Sequence, residues 1–376
     1  MKSLGPEGDE THGDTNATAT ATTTTGQGAG GALDPMVTQI ARAKTVGELA
    51  SLLGVARFLD GGKPGVIYQA AIKAAHANHG NGFVRTALSV SQTPQASAQG
   101  IDGEIYARFA GHAFIKGKGD TQAIAPNDVE QGALSDCWLL AAMIAVARAS
   151  PDAIRDLIHD RGDGTYEVTL YVGDAHAVNG TVQRTAKKFI VDSAFPVGTK
   201  GARRYARSTD HGNKPMDIEL WPMLIEKAYA KHMGAYVGMA YFGAGLDARF
   251  ESAIEELLPT GQMQSTPTST LTAATATTLL SKARQTNRPV TMMTPLSLKA
   301  LHPTLAKKWH LQEWHHYALR SVSVDDQTLS LDNPWGKDHV VDLPMADFLK
   351  CFAHVQIGPS LSRAAPDAVP AAKNMG

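Results

Sequence analysis

An α+β fold is predicted for this 376-residue chain from three observations. Residues 137–146, apolar on nearly every side, follow a turn-rich stretch in which Ser135 or Asp136 can serve as N-cap, which predicts a buried helix. Residues 314–319 and 329–336 flank the polar turn Asp325-Asp326-Gln327 and read as a β-hairpin. Strand-like runs at 166–172 and 188–191 stand beside a helix-periodic segment at 219–232. A chain of this length can hold two or three lobes and bury a sizeable core.

In chain order, residues 1–33 are rich in Gly, Thr, Ala and acids, with six threonines in 17–26, so disorder is expected there. A leader for a specialised export route and a plain flexible tail are both compatible with that composition. Asp34-Pro35 then reads as an N-cap followed by proline at the first helical position. Met36, Ile40, Leu49, Leu52, Leu53 and Phe58 recur at helical spacings, as do Val66, Ile67, Ala70 and Ile72 after Pro64, and 83–90 is amphipathic. A small helical module is therefore expected over 34–99, ending in a Ser/Gln/Pro linker. Substrate docking, a chaperone contact, an inhibitory contact and simple packing all remain open for it.

Residues 100–358 are expected to form the main domain, with a first lobe at about 120–262 and a second at about 279–358. A Thr/Ser/Ala-rich connector at 264–278 separates them. The second lobe should hold a helix around 279–284, a strand at 290–293, the hairpin, an amphipathic segment at 345–352 and a closing strand at 355–357. The Pro/Ala-rich stretch 359–376 reads as a disordered tail.

Cys137, one of only two cysteines, opens the apolar helix. The free N–H groups and positive dipole end there favour thiolate, so a lowered pKa is expected. Gln131 stands six residues earlier, where its side-chain N–H can meet an oxyanion. The hairpin carries His315, His316 and Asn333, and a Cys–His pair oriented by Asn is a variant of the nucleophile–base–orienter triad. Successive strand residues face opposite ways, so only one of the two histidines can point at the thiol. With a three-residue turn, His315 and Asn333 share a face, although strict pairing leaves them out of register. A buried structural thiol is the alternative for Cys137. A metal site built on His310, His315 and His316 is disfavoured because adjacent strand histidines diverge.

Read together, Gln131-Gly132-Ala133-Leu134-Ser135-Asp136-Cys137-Trp138-Leu139-Leu140-Ala141-Ala142, the His315 block and Asn333-Pro334-Trp335-Gly336 resemble the calpain family of papain-like cysteine proteases. That family carries QG-x-LGDCW-x-LAA, HAY-type and NPWG blocks in this order. Residues 219–231 are similar to its EFW-x-x-LLEKAYAK helix, and the resemblance covers about 124–357. It implies a papain-like fold of two lobes, with Cys137 as nucleophile, Gln131 as oxyanion donor and Asn333 as orienter. It selects His315 as the base, because the family's histidine stands two residues before Tyr317; Trp314 replaces a family Gly, and His316 a small residue. Ser135 stands where the family has Gly, and Trp335 matches the tryptophan that shields the His–Asn bond. The implied activity is hydrolysis of peptide bonds in a protein or peptide substrate through a thioester. A binding module without proteolysis, and acyl or amide transfer by an exported effector, stand beside it.

The resemblance also implies calcium. The family's first-lobe site corresponds to Asp128 and Glu219, whereas the second-lobe acids have no room between Gly336 and the segment 343–352. No cofactor is therefore expected to be required, with one calcium ion at most. A formal charge of −1 offers no basic field for nucleic acid. No run approaches the ~18 apolar residues of a spanning helix, so no membrane partner is expected. No apolar signal segment opens the chain, and two cysteines cannot build a disulfide framework. Cys351 reads as a core thiol, and the location expected is the cytoplasm, or export without a cleaved signal peptide.

Overall fold

The computed structural model describes parts of residues 37–85 and then 105–117, 121–178, 181–198, 202–208, 218–236, 239 and 253–361. The leader at 1–33, the linker toward residue 100 and the tail from 362 lie outside the described residues. Helix α1 (Val66–Asn78) turns Tyr68, Ala71, Ala74 and Ala75 onto Ile40, Leu49, Leu52, Leu53 and Val84, and these residues form a small core of their own.

The larger core gathers around α2 (Cys137–Ala149). Strands β1 (Ile105–Arg108), β2 (Gly111–His112) and β3 (Val129–Glu130) precede that helix, whose residues are buried without interruption from Cys137 through Ala147. A helix apolar all round must lie inside, and this one does. Against it pack β4 (Ile158–Asp160), β5 (Thr165–Val178) and β6 (Thr181–Asp192), an antiparallel sheet that turns Val168, Leu170 and Val172 inward at the strand period of two. Short β7 (Ala194–Val197) pairs with β1, β8 (Arg207–Ser208) with β3, and β9 (Ile218–Glu219) runs parallel to β2.

Helix α3 (Trp221–His232) follows, with Pro222 in its first turn. The sequence pattern started this helix at Glu219, but Glu219 ends β9. A start there would push Pro222 to where its missing N–H and its ring break the helical ladder.

The second core lies on a six-stranded antiparallel sheet. Its elements are β10 (Gln264–Pro267), α4 (Ala273–Gln285), β11 (Val290–Met293), β12 (His316–Ser323), β13 (Thr328–Asp332), β14 (Val340–Pro344), α5 (Met345–Cys351) and β15 (His354–Ile357). The strand order is β10-β15-β11-β12-β13-β14, and α4 and α5 cover Tyr317, Leu319, Leu329 and Leu331. The expected connector at 264–278 is thus ordered. Its first residues pair as an edge strand with β15, Gln264 opposite Ile357, and Thr272 caps α4 by accepting from Thr275 N at 3.2 Å. Cys351 is fully buried and both cysteines are free. Among the described residues, no helix is long and apolar enough to cross a membrane.

Register in the β12–β13 hairpin decides what faces what. Ser323 pairs with Thr328, so residues 324–327 close the turn, one more than the sequence pattern suggested. A bulge between Leu319 and Ser321 then shifts the pairing to Leu319 with Leu331 and Ala318 with Asp332. Extending it one residue sets Asn333 opposite Tyr317, on the face Tyr317 shares with His315. The bulge restores the parity that the longer turn removes.

Gly132 sits where a Cβ would meet Tyr205 O at 2.1 Å and Arg204 O at 2.4 Å, both backbone. Gly132→Ala should therefore lower the free energy of unfolding by about 2 kcal/mol or more, since backbone must move. Urea denaturation read by tryptophan fluorescence checks it, and an unchanged midpoint contradicts the close approach.

Candidate active site

Helix α2 delivers Cys137 to the junction of the two cores. Asp136 is its N-cap residue, yet its side chain makes no capping bond; the Asp136 carbonyl accepts from Leu139 N and Leu140 N. Strand β12 packs against this helix, and the His316 backbone N–H favours the charged form of the Cys137 thiol. Burial pushes that thiol up to about 12, and the neighbouring Asp136 adds to the rise. The expectation of a lowered pKa is corrected. Desolvation of a fully enclosed sulfur outweighs the helix dipole and the N–H groups aimed at it.

His315 and Asn333 meet across the mouth of the hairpin. Nε2 of His315 lies 2.9 Å from Oδ1 of Asn333, and Trp335 N donates to the same oxygen at 3.1 Å. Two donors converging on one atom identify it as the amide oxygen, which fixes the amide's orientation. His315 therefore carries its hydrogen on Nε2, and Nδ1 is left as the basic nitrogen. The Trp335 ring packs 4.8 Å from the imidazole and Tyr317 meets it edge-on at 4.9 Å. Burial holds His315 down near a pKa of about 4, against the opposing pull of Asn333, so the ring is neutral near pH 7. His316 is also buried, and its pKa falls further, to about 3.

The backbone at His315 is pinned by a residue the sequence did not single out. Thr294, fully buried at the end of β11, accepts from His315 N through Oγ1 at 3.0 Å and donates to Gln312 O at 2.6 Å. Trp314 has φ 51°, the left-handed region, at the position where the resembled family has Gly. Ser135 is exposed and is not among the residues with positive φ, so serine replaces the family's Gly there without strain.

Gln131 is tied down on both sides. Its backbone N–H donates to Pro334 O at 2.7 Å, joining the loop before Cys137 to the loop that carries Asn333. Its side-chain Nε2 donates to Leu134 O at 2.6 Å, and Oε1 is buried without a hydrogen-bond partner. The same side chain bears on the Asp136 carboxyl, whose pKa it lowers, so the amide is held beside the start of α2.

Asp136 and Glu226 form a pair that sequence reasoning missed. Both are essentially inaccessible, their carboxyls lie close enough to shift each other's pKa, and Glu226 Oε1 accepts from Ala206 N at 2.9 Å. Burial raises Asp136 to about 7 and Glu226 well above the carboxylate range, which means that the pair holds a proton. Each acid stands inside an apolar run, and a buried acid requires a partner.

Asp128 and Glu219, the positions the resemblance assigns to calcium, serve backbone and indole donors. Asp128 Oδ2 accepts from Ala125 N at 2.6 Å and Trp221 Nε1 at 3.3 Å, and Glu219 Oε1 accepts from Ile115 N at 2.9 Å. Among the described residues, no three His, Cys, Asp or Glu side chains gather that could hold a metal. Asp128 and Glu219 are thus engaged by protein donors, and no step below runs through a metal.

A thiol at a helix start and an imidazole held by an amide have the composition of a cysteine-peptidase centre, and comparison with known proteins agrees. The description "Calpain family cysteine protease" matches residues 114–341, and the chain belongs to that family of cysteine-type peptidases. A protein named calpain from Schistosoma mansoni is 33% identical over 118 residues, a stretch that covers 30% of this chain and 14% of that protein. The chain thus spans only a small part of the length of that relative.

The acid pair gives a pH dependence with a defined sign. Both pKa values are raised on folding, so the pair's contribution to stability is complete below the ordinary carboxylate range and is lost as pH rises through about 7. Glu226→Gln, whose amide donates to an ionised Asp136, should reduce the loss of stability between pH 5 and 8. Glu226→Ala leaves Asp136 buried and alone and should cost about 3 kcal/mol. Denaturant unfolding at the two pH values checks both, and identical slopes for wild type and Glu226→Gln contradict a shared proton.

Proposed function

We propose that this chain is an endopeptidase that cleaves protein substrates through a thioester on Cys137. The observation that carries the reading is the 2.9 Å contact between His315 Nε2 and Asn333 Oδ1, made beside the strand end whose His316 N–H favours the charged form of Cys137. Asn333 holds the tautomer in which Nδ1 can take the thiol proton. The sulfur then attacks the scissile carbonyl, Gln131 and a backbone N–H at the helix start stabilise the oxyanion, and protonated His315 gives its proton to the leaving amine. Water, activated by the same imidazole, releases the acyl group from sulfur. The raised thiol and lowered imidazole pKa values favour a neutral pair at rest, so the nucleophile forms when substrate enters.

The two cores support a papain-like pair of lobes, at about 120–262 and 279–358, with an extended peptide lying in the groove between them and Trp335 shielding the His–Asn bond. A helical module within 34–99 is supported by the separate core around α1. Activity is independent of calcium in this reading, because Asp128 and Glu219 already serve structural donors.

Cleavage of casein by the full chain tests the proposal. Cys137→Ala and His315→Ala should each abolish turnover, since nucleophile and base act as a unit. His316→Ala should keep at least about a tenth of it, and Asn333→Ala should fall between, its role being orientation. Gln131→Ala should lower kcat by about 10²–10³-fold. Near-wild-type turnover by Cys137→Ala removes the proposal, a larger loss from His316 than from His315 reassigns the base, and loss of activity in chelator reinstates the metal.

A further inference from the structure

A cavity of about 520 Å³ has Asn333, but neither Cys137 nor His315, in its lining, and both lobes contribute to it. Val129, Ile144 and Arg148 come from β3 and α2, whereas Arg320, Asp332 and His339 come from the hairpin and the segment after it. Asp332, nearly buried, is ion-paired with Arg148 and accepts from Arg320 Nε at 2.7 Å.

The cavity has an excess of donors. Arg148 and Arg320 both line it, and the Asp332 carboxylate is shared between them. Nδ1 of His339 accepts from Asn333 N at 3.1 Å, so a neutral His339 ring carries its hydrogen on Nε2, a further donor. Burial and the two guanidiniums keep His339 below its usual pKa, leaving two guanidinium charges against the single Asp332 carboxylate in the lining. Val129 and Ile144 add an apolar wall.

We propose that this cavity binds a small organic carboxylate, whose oxygens meet the Arg320 guanidinium and Nε2 of His339 while its hydrocarbon part packs on Val129 and Ile144. The bound anion fastens α2 to the hairpin end that holds Asn333, and so stiffens the His315–Asn333 contact. The site lies outside the groove assigned to substrate, and its occupation does not depend on proteolysis.

Titration calorimetry on the full chain carrying Cys137→Ala tests binding apart from activity. The probes are N-acetylleucine and inorganic phosphate, at pH 7 and constant ionic strength. N-acetylleucine should bind one saturable site and raise Tm, with phosphate at least tenfold weaker. Arg320→Gln and His339→Phe should each weaken N-acetylleucine at least tenfold, and both side chains are partly exposed, so either variant suffices if the other fails to fold. In wild type, N-acetylleucine should raise casein cleavage. Absence of saturable binding, affinity unchanged in the variants, or inhibition in place of activation overturns the proposal. Equal affinity for phosphate overturns the organic-carboxylate class in favour of a bare oxyanion site. Failure of casein cleavage alone, with binding intact, overturns the peptidase reading and leaves the site standing.

Discussion

The hydrogen bond from Gln131 N–H to the Pro334 carbonyl, 2.7 Å long, joins two loops that lie about two hundred residues apart in the chain. On one side of it the chain enters α2 at Cys137, and on the other it turns through Asn333 and Trp335. Pro334 has no N–H of its own, so its carbonyl is the only backbone group it can offer to the other loop. Gly132 lets the backbone at Arg204 and Tyr205 close in behind the same loop. The ion pair of Arg148, in the last turn of α2, with Asp332 ties the same hairpin end to the helix itself. The hairpin end carrying Asn333 is therefore held both by the loop before α2 and by the helix, and the positions of Cys137 and Asn333 cannot vary independently.

Much of this was legible in the sequence, and the exceptions have physical causes. The apolar run after Cys137, the hairpin and the strand at Val290–Met293 are local patterns, and they fall where the pattern puts them. The Thr-rich stretch after Gln264 read as a connector because threonine is equally at home in loops and at strand edges, and only pairing with β15, some ninety residues later, decides between them. Thr294 could not be singled out, since its two bonds to the His315 region cross from one strand end to another. The same holds for Asp136 with Glu226. Each looks like a misplaced charge until the fold brings them together.

The electrostatic expectation failed for a different reason. A helix start favours an anion by a modest, short-ranged amount, whereas enclosing a sulfur in apolar surroundings disfavours its charge by much more. Position along a helix is written in the sequence, but depth is not. With Cys137, His315 and His316 all enclosed, burial disfavours the charged form of each.

The extra residue in β12 carries a consequence for how this hairpin can vary. Because Arg320 occupies the bulge, the residues before it and those after it are out of step by one place in the ladder, and Asn333 faces Tyr317 and His315 only by virtue of that offset. The hairpin therefore has a reading frame. Were Arg320 drawn into regular pairing with Leu331, Ala318 would stand opposite Asn333, turning it to the other face and withdrawing Arg320 from Asp332. Length changes within 324–327, beyond the last paired residues, leave the frame intact. Natural variation in this hairpin should accumulate at its turn and be absent from its bulge.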